Sequence, residues 1–144
     1  MKAFSISIWL ILGMVGGALA GSTVAAKKDG FKLVKTAELA QLIESTPPGK
    51  LYIYDANGED TRKSEGVIKG AKLLSSHDEY DIAELPTDPA AKKNAKLVFY
   101  CGDFRCTASH TAAEHALKAG FKDVAVLSDG IKGWKKNGQP VVKP

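Results

Sequence analysis

The chain has 144 residues, of which 44% are hydrophobic, 25% are charged and 8% are aromatic. It is too short for two domains of ordinary size and too apolar to be disordered. The net charge of +4, with lysines scattered along the chain, gives no basic patch of the kind that binds nucleic acid. Two cysteines are too few for a disulfide scaffold, a four-cysteine zinc site or a cysteine-held iron–sulfur cluster.

Residues 1–20 have the pattern of a signal peptide. Lys2 precedes an apolar run over 6–20, which ends in an Ala-Leu-Ala cleavage signal. A second small-residue site places the alternative cleavage as late as residue 26. The run is shorter than the roughly 20 residues that span a bilayer, so an inner-membrane anchor is the weaker alternative. Cleavage predicts a periplasmic or secreted protein that has no membrane partner and resides in an oxidising compartment.

Residues 21–30 are small and polar, and we expect a flexible lead-in to a domain over 31–144. A short strand is predicted at 31–34, and apolar runs predict buried strands at 51–54, 71–74, 97–100 and 124–127. Thr36 is predicted to cap a helix that stops before 47–49, and further helices are predicted at 107–119 and 131–136. Residues 56–66 are expected to form turns, and 75–96 to hold one helical turn near 80–85.

Strands that alternate with helices predict an α/β domain with a largely parallel sheet. Strands covered on both faces read as continuous apolar runs, so their side chains should be buried. The residues expected to be buried are Leu51, Ile53, Leu97, Val98, Phe99, Val124 and Val126. Trp134 is expected to pack the last short helix against the domain.

Cys101 is the candidate catalytic residue. A buried strand ends next to it, and the short loop 102–106 leads directly into a helix. The amides at the start of a helix carry partial positive charge, which stabilises a thiolate and makes it a nucleophile. The carboxyl ends of strands are also where open α/β sheets place their sites. The alternative is that Cys101 is only a small buried apolar residue.

The residues after Cys101 exclude several thiol chemistries. A cysteine phosphatase needs an arginine at the sixth following position, where this chain has Thr107. Four residues separate Cys101 from Cys106, whereas thioredoxin-type exchange and haem attachment need two. His110 and His115 do not complete a common zinc spacing with the cysteines, so no metal site is predicted.

Four stretches resemble the single-domain rhodanese (sulfurtransferase) family. They are Tyr52–Asn57 (YIYDAN), Gly66–Ala71 (GVIKGA), Tyr100 with Cys101 and the following loop and helix, and the ending Gly120–Trp134 followed by Asn137–Pro140. The likeness covers about residues 31–142 in the expected order. It implies a three-layer domain with a central parallel sheet flanked by helices.

The resemblance also implies a reaction. In this family the loop cysteine takes sulfane sulfur as a persulfide from a small sulfur-containing donor and passes it to a thiol or protein acceptor. Amides of the loop face the anionic sulfur and stabilise it, as in an oxyanion hole. No cofactor and no metal are implied. The active-site loop would comprise Gly102, Asp103, Phe104, Arg105, Cys106 and Thr107.

The chain departs from the family at several positions. Family members that act on thiosulfate often carry basic residues just after the cysteine, but here Asp103 would repel a dianion and Arg105 is the loop's cation. Phe104 replaces a usual glycine, and Asn57 replaces an arginine. Arg62 supplies the missing charge or is a surface residue. Asp55 orients the loop or only accepts backbone hydrogen bonds at a strand end.

Cys106 stands where the family more often has Ser, Thr or Arg. If the loop curls around Cys101, Cys106 would be a resolving thiol that closes a disulfide; otherwise it is a packing residue. Three functions therefore remain. They are a sulfurtransferase that uses Cys101, a thiol/disulfide redox protein that uses Cys101 and Cys106, and a non-catalytic binding module with the same fold.

Overall fold

A computed structural model describes residues 27–28 and 30–144 of the chain. The predicted signal peptide and both cleavage sites lie outside the described residues. The strands described are β1 (Lys27–Lys28), β2 (Phe31–Val34), β3 (Leu51–Asp55), β4 (Val67–Ile68), β5 (Lys72–Leu73), β6 (Lys96–Tyr100), β7 (Asp123–Leu127) and β8 (Val141–Val142). The α-helices described are α1 (Thr36–Ser45), α2 (Glu59–Glu65), α3 (Pro89–Asn94), α4 (Ala108–Lys118) and α5 (Gly130–Lys136). None of them has both the length and the apolar character needed to cross a membrane.

One sheet organises the domain, with the strand order β1-β2-β7-β6-β3-β5. The strands from β2 to β5 in this order run parallel, and β1 pairs antiparallel with β2 at one edge. β6 is central because it pairs with β7 on one side and with β3 on the other. The predicted fold, a central parallel sheet flanked by helices, is confirmed.

Alternate residues of the central strands enter two separate cores, one on each face of the sheet. Leu97 and Phe99 of β6 pack on the face that α4 covers, together with Ala112 and Ala116. Val98 and Tyr100 pack on the opposite face, where α1 contributes Leu39 and α5 contributes Ile131 and Trp134. This alternation follows from the two-residue period of a strand and gives three layers.

The expected burial is confirmed for six of the seven strand residues, and Trp134 is 3% exposed. Leu51 is only partly buried because it is the first residue of β3. The run at 71–74 forms a strand only at Lys72–Leu73, whose side chains are exposed. Trp134 is also held by a hydrogen bond from Nε1 to the Pro140 carbonyl, at 2.9 Å.

Several local predictions were wrong. Residues 56–66 contain the helix α2, which has no fully buried residue and so has no apolar periodicity to detect. The segment 75–96 contains α3 besides its predicted turn; Asp88 caps α3 by accepting a hydrogen bond from the Ala90 amide. Thr36 does not cap α1, because Lys35 is the N-cap and Thr36 is buried in the first turn. Val141–Val142 pairs antiparallel with β4 in a small second sheet.

The structure also describes the end of the lead-in and the helix that follows the cysteine loop. Lys27 and Lys28, within the predicted lead-in, form β1 against β2. α4 begins at Ala108, with Thr107 as its N-cap. Gly120 follows the end of α4 with a φ of 98°, a backbone conformation that favours glycine.

Candidate active site

Cys101 follows the last residue of the central strand, at the carboxyl edge of the parallel sheet. It is 1% exposed. The next six residues, Gly102–Thr107, form the cysteine loop, and α4 begins directly after it. The Tyr100 carbonyl accepts a hydrogen bond from the Ala56 amide at 2.9 Å, and the Cys101 carbonyl accepts one from the Ile131 amide at 2.8 Å. The backbone on both sides of the thiol is therefore fixed to neighbouring elements.

The first turn of α5 packs against the cysteine loop. The Lys132 amide donates to the Gly102 carbonyl at 3.0 Å. Gly130 has a φ of 61°, and a Cβ atom there would lie 2.6 Å from the Gly102 oxygen and 2.7 Å from the Cys101 oxygen. Only glycine fits this approach. Gly130 was predicted as part of a turn, and its contact with the loop depends on the tertiary fold.

The described environment of the Cys101 sulfur includes one hydroxyl. Ser109 Oγ lies 3.2 Å from Cys101 Sγ, and Ser109 is 2% exposed. Ser109 is the second residue of α4, and the first amides of a helix have no intrahelical acceptor. The hydroxyl and the positive end of α4 therefore both lie where negative charge on sulfur would develop. Sequence analysis missed Ser109, although its place in the first turn after the loop was a usable signal.

Two loop amides do not face the sulfur as the family resemblance implied. The Arg105 amide donates to the Asp103 carboxylate and the Cys106 amide donates to the Asp103 carbonyl, both at 3.0 Å. Asp103 thus forms the turn that brings the second half of the loop back towards β6. The sequence predicted that Asp103 acts through its negative charge, but Asp103 also determines the backbone path of the loop.

The cysteine loop brings its two cysteines together. Cys101 and Cys106 form a disulfide with their Cα atoms 6.3 Å apart. This separation lies within the range that a disulfide requires. Cys101 is buried, whereas Cys106 is partly exposed. The geometry expected of a resolving thiol is therefore present, and the role itself is taken up below.

Two cations flank Asp103. Its carboxylate lies 3.3 Å from Arg105 Nη2 and 3.5 Å from Lys132 Nζ. The hydrogen bond from the Arg105 amide, and then the Arg105 guanidinium, lower the pKa of Asp103. Lys132 was missed because only the packing of α5 brings it to the loop. The repulsion expected from Asp103 is thus offset by two positive charges instead of one.

A cavity of about 620 Å³ lies beside the loop, against α5. Its lining includes Phe104, Lys132 and Lys136. Phe104 is 78% exposed, and the Arg105 guanidinium lies 5.6 Å from the centre of its ring. The loop therefore presents one apolar ring and one cation to solvent, and Lys132 and Lys136 of α5 lie beside them.

Asp55 and Arg62 form a buried ion pair under the site. Asp55 is fully buried and accepts hydrogen bonds from Tyr100 Oη at 2.6 Å, the Asn57 amide at 2.7 Å and Arg62 Nε at 3.2 Å. Arg62 also donates to the Leu74 carbonyl at 2.9 Å. Arg62 therefore neutralises Asp55 and anchors β5, instead of supplying charge to the cysteine loop.

Tyr100 connects this ion pair to the cysteine, because it directly precedes Cys101 in the chain. Its hydroxyl donates to Asp55 and accepts a hydrogen bond from the Ile68 amide at 3.1 Å. Burial, and then the Asp55 carboxylate, raise the pKa of Tyr100. Asn57 lies next to the first residue of the cysteine loop: a Cβ atom placed on Gly102 would be 3.8 Å from Asn57 Oδ1. The predicted supporting residues therefore position the start of the loop.

A family model for the rhodanese-like domain matches residues 35–137. No curated protein matches the chain closely enough to count as a relative. Among solved structures, a rhodanese-like domain from Anabaena, determined by NMR in solution, is 22% identical. Its TM-score is 0.59, and the match covers 78% of this chain and 79% of that domain.

Two further structures are similar. A Bacillus halodurans protein is 21% identical with a TM-score of 0.63, over 78% of this chain and 77% of its own. A Rhodopseudomonas palustris protein of unknown function, named as a possible tyrosine phosphatase, is 24% identical. Its TM-score is 0.61, over 78% of this chain and 85% of its own. At these identities the likeness concerns the fold.

Proposed function

The chain belongs to the family of rhodanese-like domains, and from this premise we propose that it is a sulfurtransferase that carries sulfane sulfur on Cys101. The observation that carries the proposal is the position of Cys101 between the end of β6 and the start of α4, with Ser109 Oγ 3.2 Å from its sulfur. A thiolate and a persulfide anion are both stabilised by such donors. The predicted leader at 1–20 supports export of the protein.

The reaction has two displacement steps. The Cys101 thiolate attacks the outer sulfur of a donor such as thiosulfate, the S–S bond of the donor breaks, and sulfite leaves with the electron pair. The product is a Cys101 persulfide. The thiolate of a small-molecule or protein acceptor then attacks the outer sulfur of this persulfide, and Cys101 leaves as the thiolate. Arg105 and Lys132 lie at the loop and favour an anionic donor.

Mass spectrometry of the reduced full-length protein tests the proposal. The Cys106→Ser variant is treated with thiosulfate and, separately, with glutathione persulfide, which differ in charge and size. We expect a gain of one sulfur atom on Cys101, and no gain when Cys101→Ser is added to the Cys106→Ser variant. No sulfur on Cys101 with either donor would refute the sulfurtransferase proposal.

The disulfide favours a second candidate function, a thiol/disulfide redox protein. Cys101 and Cys106 are already bonded to each other across the loop. In this case the pair would cycle with a redox buffer and no sulfane sulfur would be carried. Titration of the wild-type protein against glutathione, followed by alkylation of free thiols, measures this cycle directly. The persulfide experiment on the Cys106→Ser variant separates the two functions, because the redox function involves no sulfane sulfur on Cys101.

The two functions are joined if Cys106 resolves the persulfide. The Cys106 thiolate would attack the inner sulfur on Cys101, form the disulfide and release hydrosulfide with the electron pair. The persulfide is thereby reduced by two electrons, and the two cysteines are oxidised by two. Wild-type protein loaded with sulfur should then release sulfide without an added acceptor, whereas the Cys106→Ser variant should keep its persulfide.

A further inference from the structure

The two sulfurs of the disulfide are not equivalent. Cys101 is 1% exposed, whereas Cys106 is partly exposed and is flanked in sequence by the exposed residues Arg105 and Thr107. We propose that an external thiol reductant attacks the sulfur of Cys106 and that Cys101 leaves as the thiolate. This inference rests on the proposed cycling of the two cysteines, and it identifies where electrons enter the site and the class of partner that delivers them.

Access to the sulfur is the first argument. A thiolate must approach the attacked sulfur along the line of the S–S bond, from the side opposite the bond. Cys101 is covered by the protein on its own side, where the buried Ser109 contacts its sulfur. Cys106 is partly exposed. Attack on the sulfur of Cys106 is therefore less hindered by the surrounding protein than attack on the sulfur of Cys101.

The leaving group is the second argument. Thiol–disulfide exchange is faster when the departing sulfur is the better-stabilised thiolate. Cys101 has Ser109 Oγ at 3.2 Å from its sulfur, and the loop that follows it leads into the N-terminus of α4, which carries partial positive charge. The Cys106 amide, in contrast, is already used in a hydrogen bond to the Asp103 carbonyl. Both arguments therefore favour attack on the sulfur of Cys106 with Cys101 as the leaving group.

The step balances with a thiol as the reductant. The reductant thiolate forms a mixed disulfide with Cys106, and the electron pair of the broken S–S bond stays on Cys101. A second thiol, most simply the partner thiol of a dithiol, then attacks the reductant's sulfur and releases the Cys106 thiolate. The reductant is oxidised by two electrons, and the cysteine pair is reduced by two.

This order has a functional consequence. Cys101 becomes a free thiolate while Cys106 is still blocked by the reductant. During that interval the site can accept sulfane sulfur on Cys101, and Cys106 cannot resolve the persulfide. The reductant would thus determine whether loaded sulfur is kept for an acceptor or released as sulfide.

Glutathione serves as the probe. Oxidised full-length protein is mixed with glutathione, quenched with acid at increasing times and alkylated under acidic conditions, and its peptides are mapped by mass spectrometry. At the earliest times we expect glutathione on Cys106 and the alkyl group on Cys101, in about tenfold excess over the reverse pattern. Equal amounts of the two patterns, or an excess on Cys101, would overturn the inference.

Variants test the leaving-group argument. Ser109→Ala should slow the first reduction step several-fold, while Ser45→Ala, an exposed serine at the end of α1, should leave its rate unchanged. Equal rates in the wild type and Ser109→Ala would refute the role of Ser109 in this step. Persulfide formation on the Cys106→Ser variant does not involve Cys106. It therefore tells failure of the present inference apart from failure of the sulfurtransferase proposal.

Discussion

Removing the Ser109 hydroxyl should reduce the nucleophilicity of Cys101 at neutral pH. Ser109 is 2% exposed and its Oγ lies 3.2 Å from the Cys101 sulfur, so water does not readily replace the lost donor. A hydrogen bond to a charged group contributes about 1.5 to 3 kcal/mol. At about 1.4 kcal/mol per factor of ten, Ser109→Ala should lower the thiolate population between about tenfold and about a hundredfold at a pH where the thiol form dominates.

The assay uses the Cys106→Ser background, so that Cys101 is the cysteine that reacts. The rate of alkylation by iodoacetamide is measured from acidic to alkaline pH, with the thiolate followed by ultraviolet absorbance. The midpoint of this profile should move to higher pH in Ser109→Ala and stay in place in the Ser45→Ala control. The plateau rate at alkaline pH should not fall, because a thiolate that has lost this hydrogen bond is at least as nucleophilic. An unmoved midpoint would refute the hydrogen-bond argument.

Three further predictions follow from the structure. Gly130→Ala places a Cβ atom 2.6 Å from the Gly102 oxygen at a φ of 61°, so it should destabilise the fold by more than ~1 kcal/mol and slow sulfur loading; urea unfolding that matches the wild type would contradict this. Asp103→Asn keeps a side-chain oxygen for the Arg105 amide but removes the counter-charge of Arg105 and Lys132, so it should raise the rate of loading from thiosulfate; a lower rate would count against electrostatic recruitment of the donor. Burial raises the pKa of Tyr54, Tyr80 and Tyr100, so the unfolded state loses protons first as pH rises above about 10 and the free energy of unfolding should fall by about 4 kcal/mol per pH unit. Urea unfolding from about pH 9 to about pH 11.5, a range that spans the unfolded tyrosine pKa of about 10, measures this slope. Tyr54→Phe should reduce the slope by about a third, and an unchanged slope in that variant would contradict the role of the buried tyrosines.

The central strands could be predicted because strands buried on both faces consist of continuous apolar residues. Leu97–Tyr100 is apolar on both faces, since α4 covers one side and α1 with α5 covers the other. The helix α2 left no such signal: none of its residues is fully buried, and its main tertiary contact is the ion pair of Arg62 with Asp55. Short polar helices of this kind are specified by tertiary contacts more than by periodicity.

The candidate site divides in the same way. Cys101, Asp55 and the loop were found because a residue at the end of a buried strand is placed by the strand. Lys132 and Gly130 reach the loop only through the packing of α5, which the sequence order does not reveal. Tyr100 was identified as a buried strand residue, but its hydrogen bond to Asp55 required the pairing of β3 with β6.

The order of strands in the sheet determines when the native sheet can form during synthesis of the chain. β2 finds its parallel neighbour only in β7, where Leu33 pairs with Val126, and β4 is completed by β8, where Val67 pairs with Val142. Both pairings join segments that leave the ribosome far apart in time, and closing such long loops slows folding. The native sheet cannot close before β7 has been synthesised. The native fold can therefore be completed only after β8 has left the ribosome.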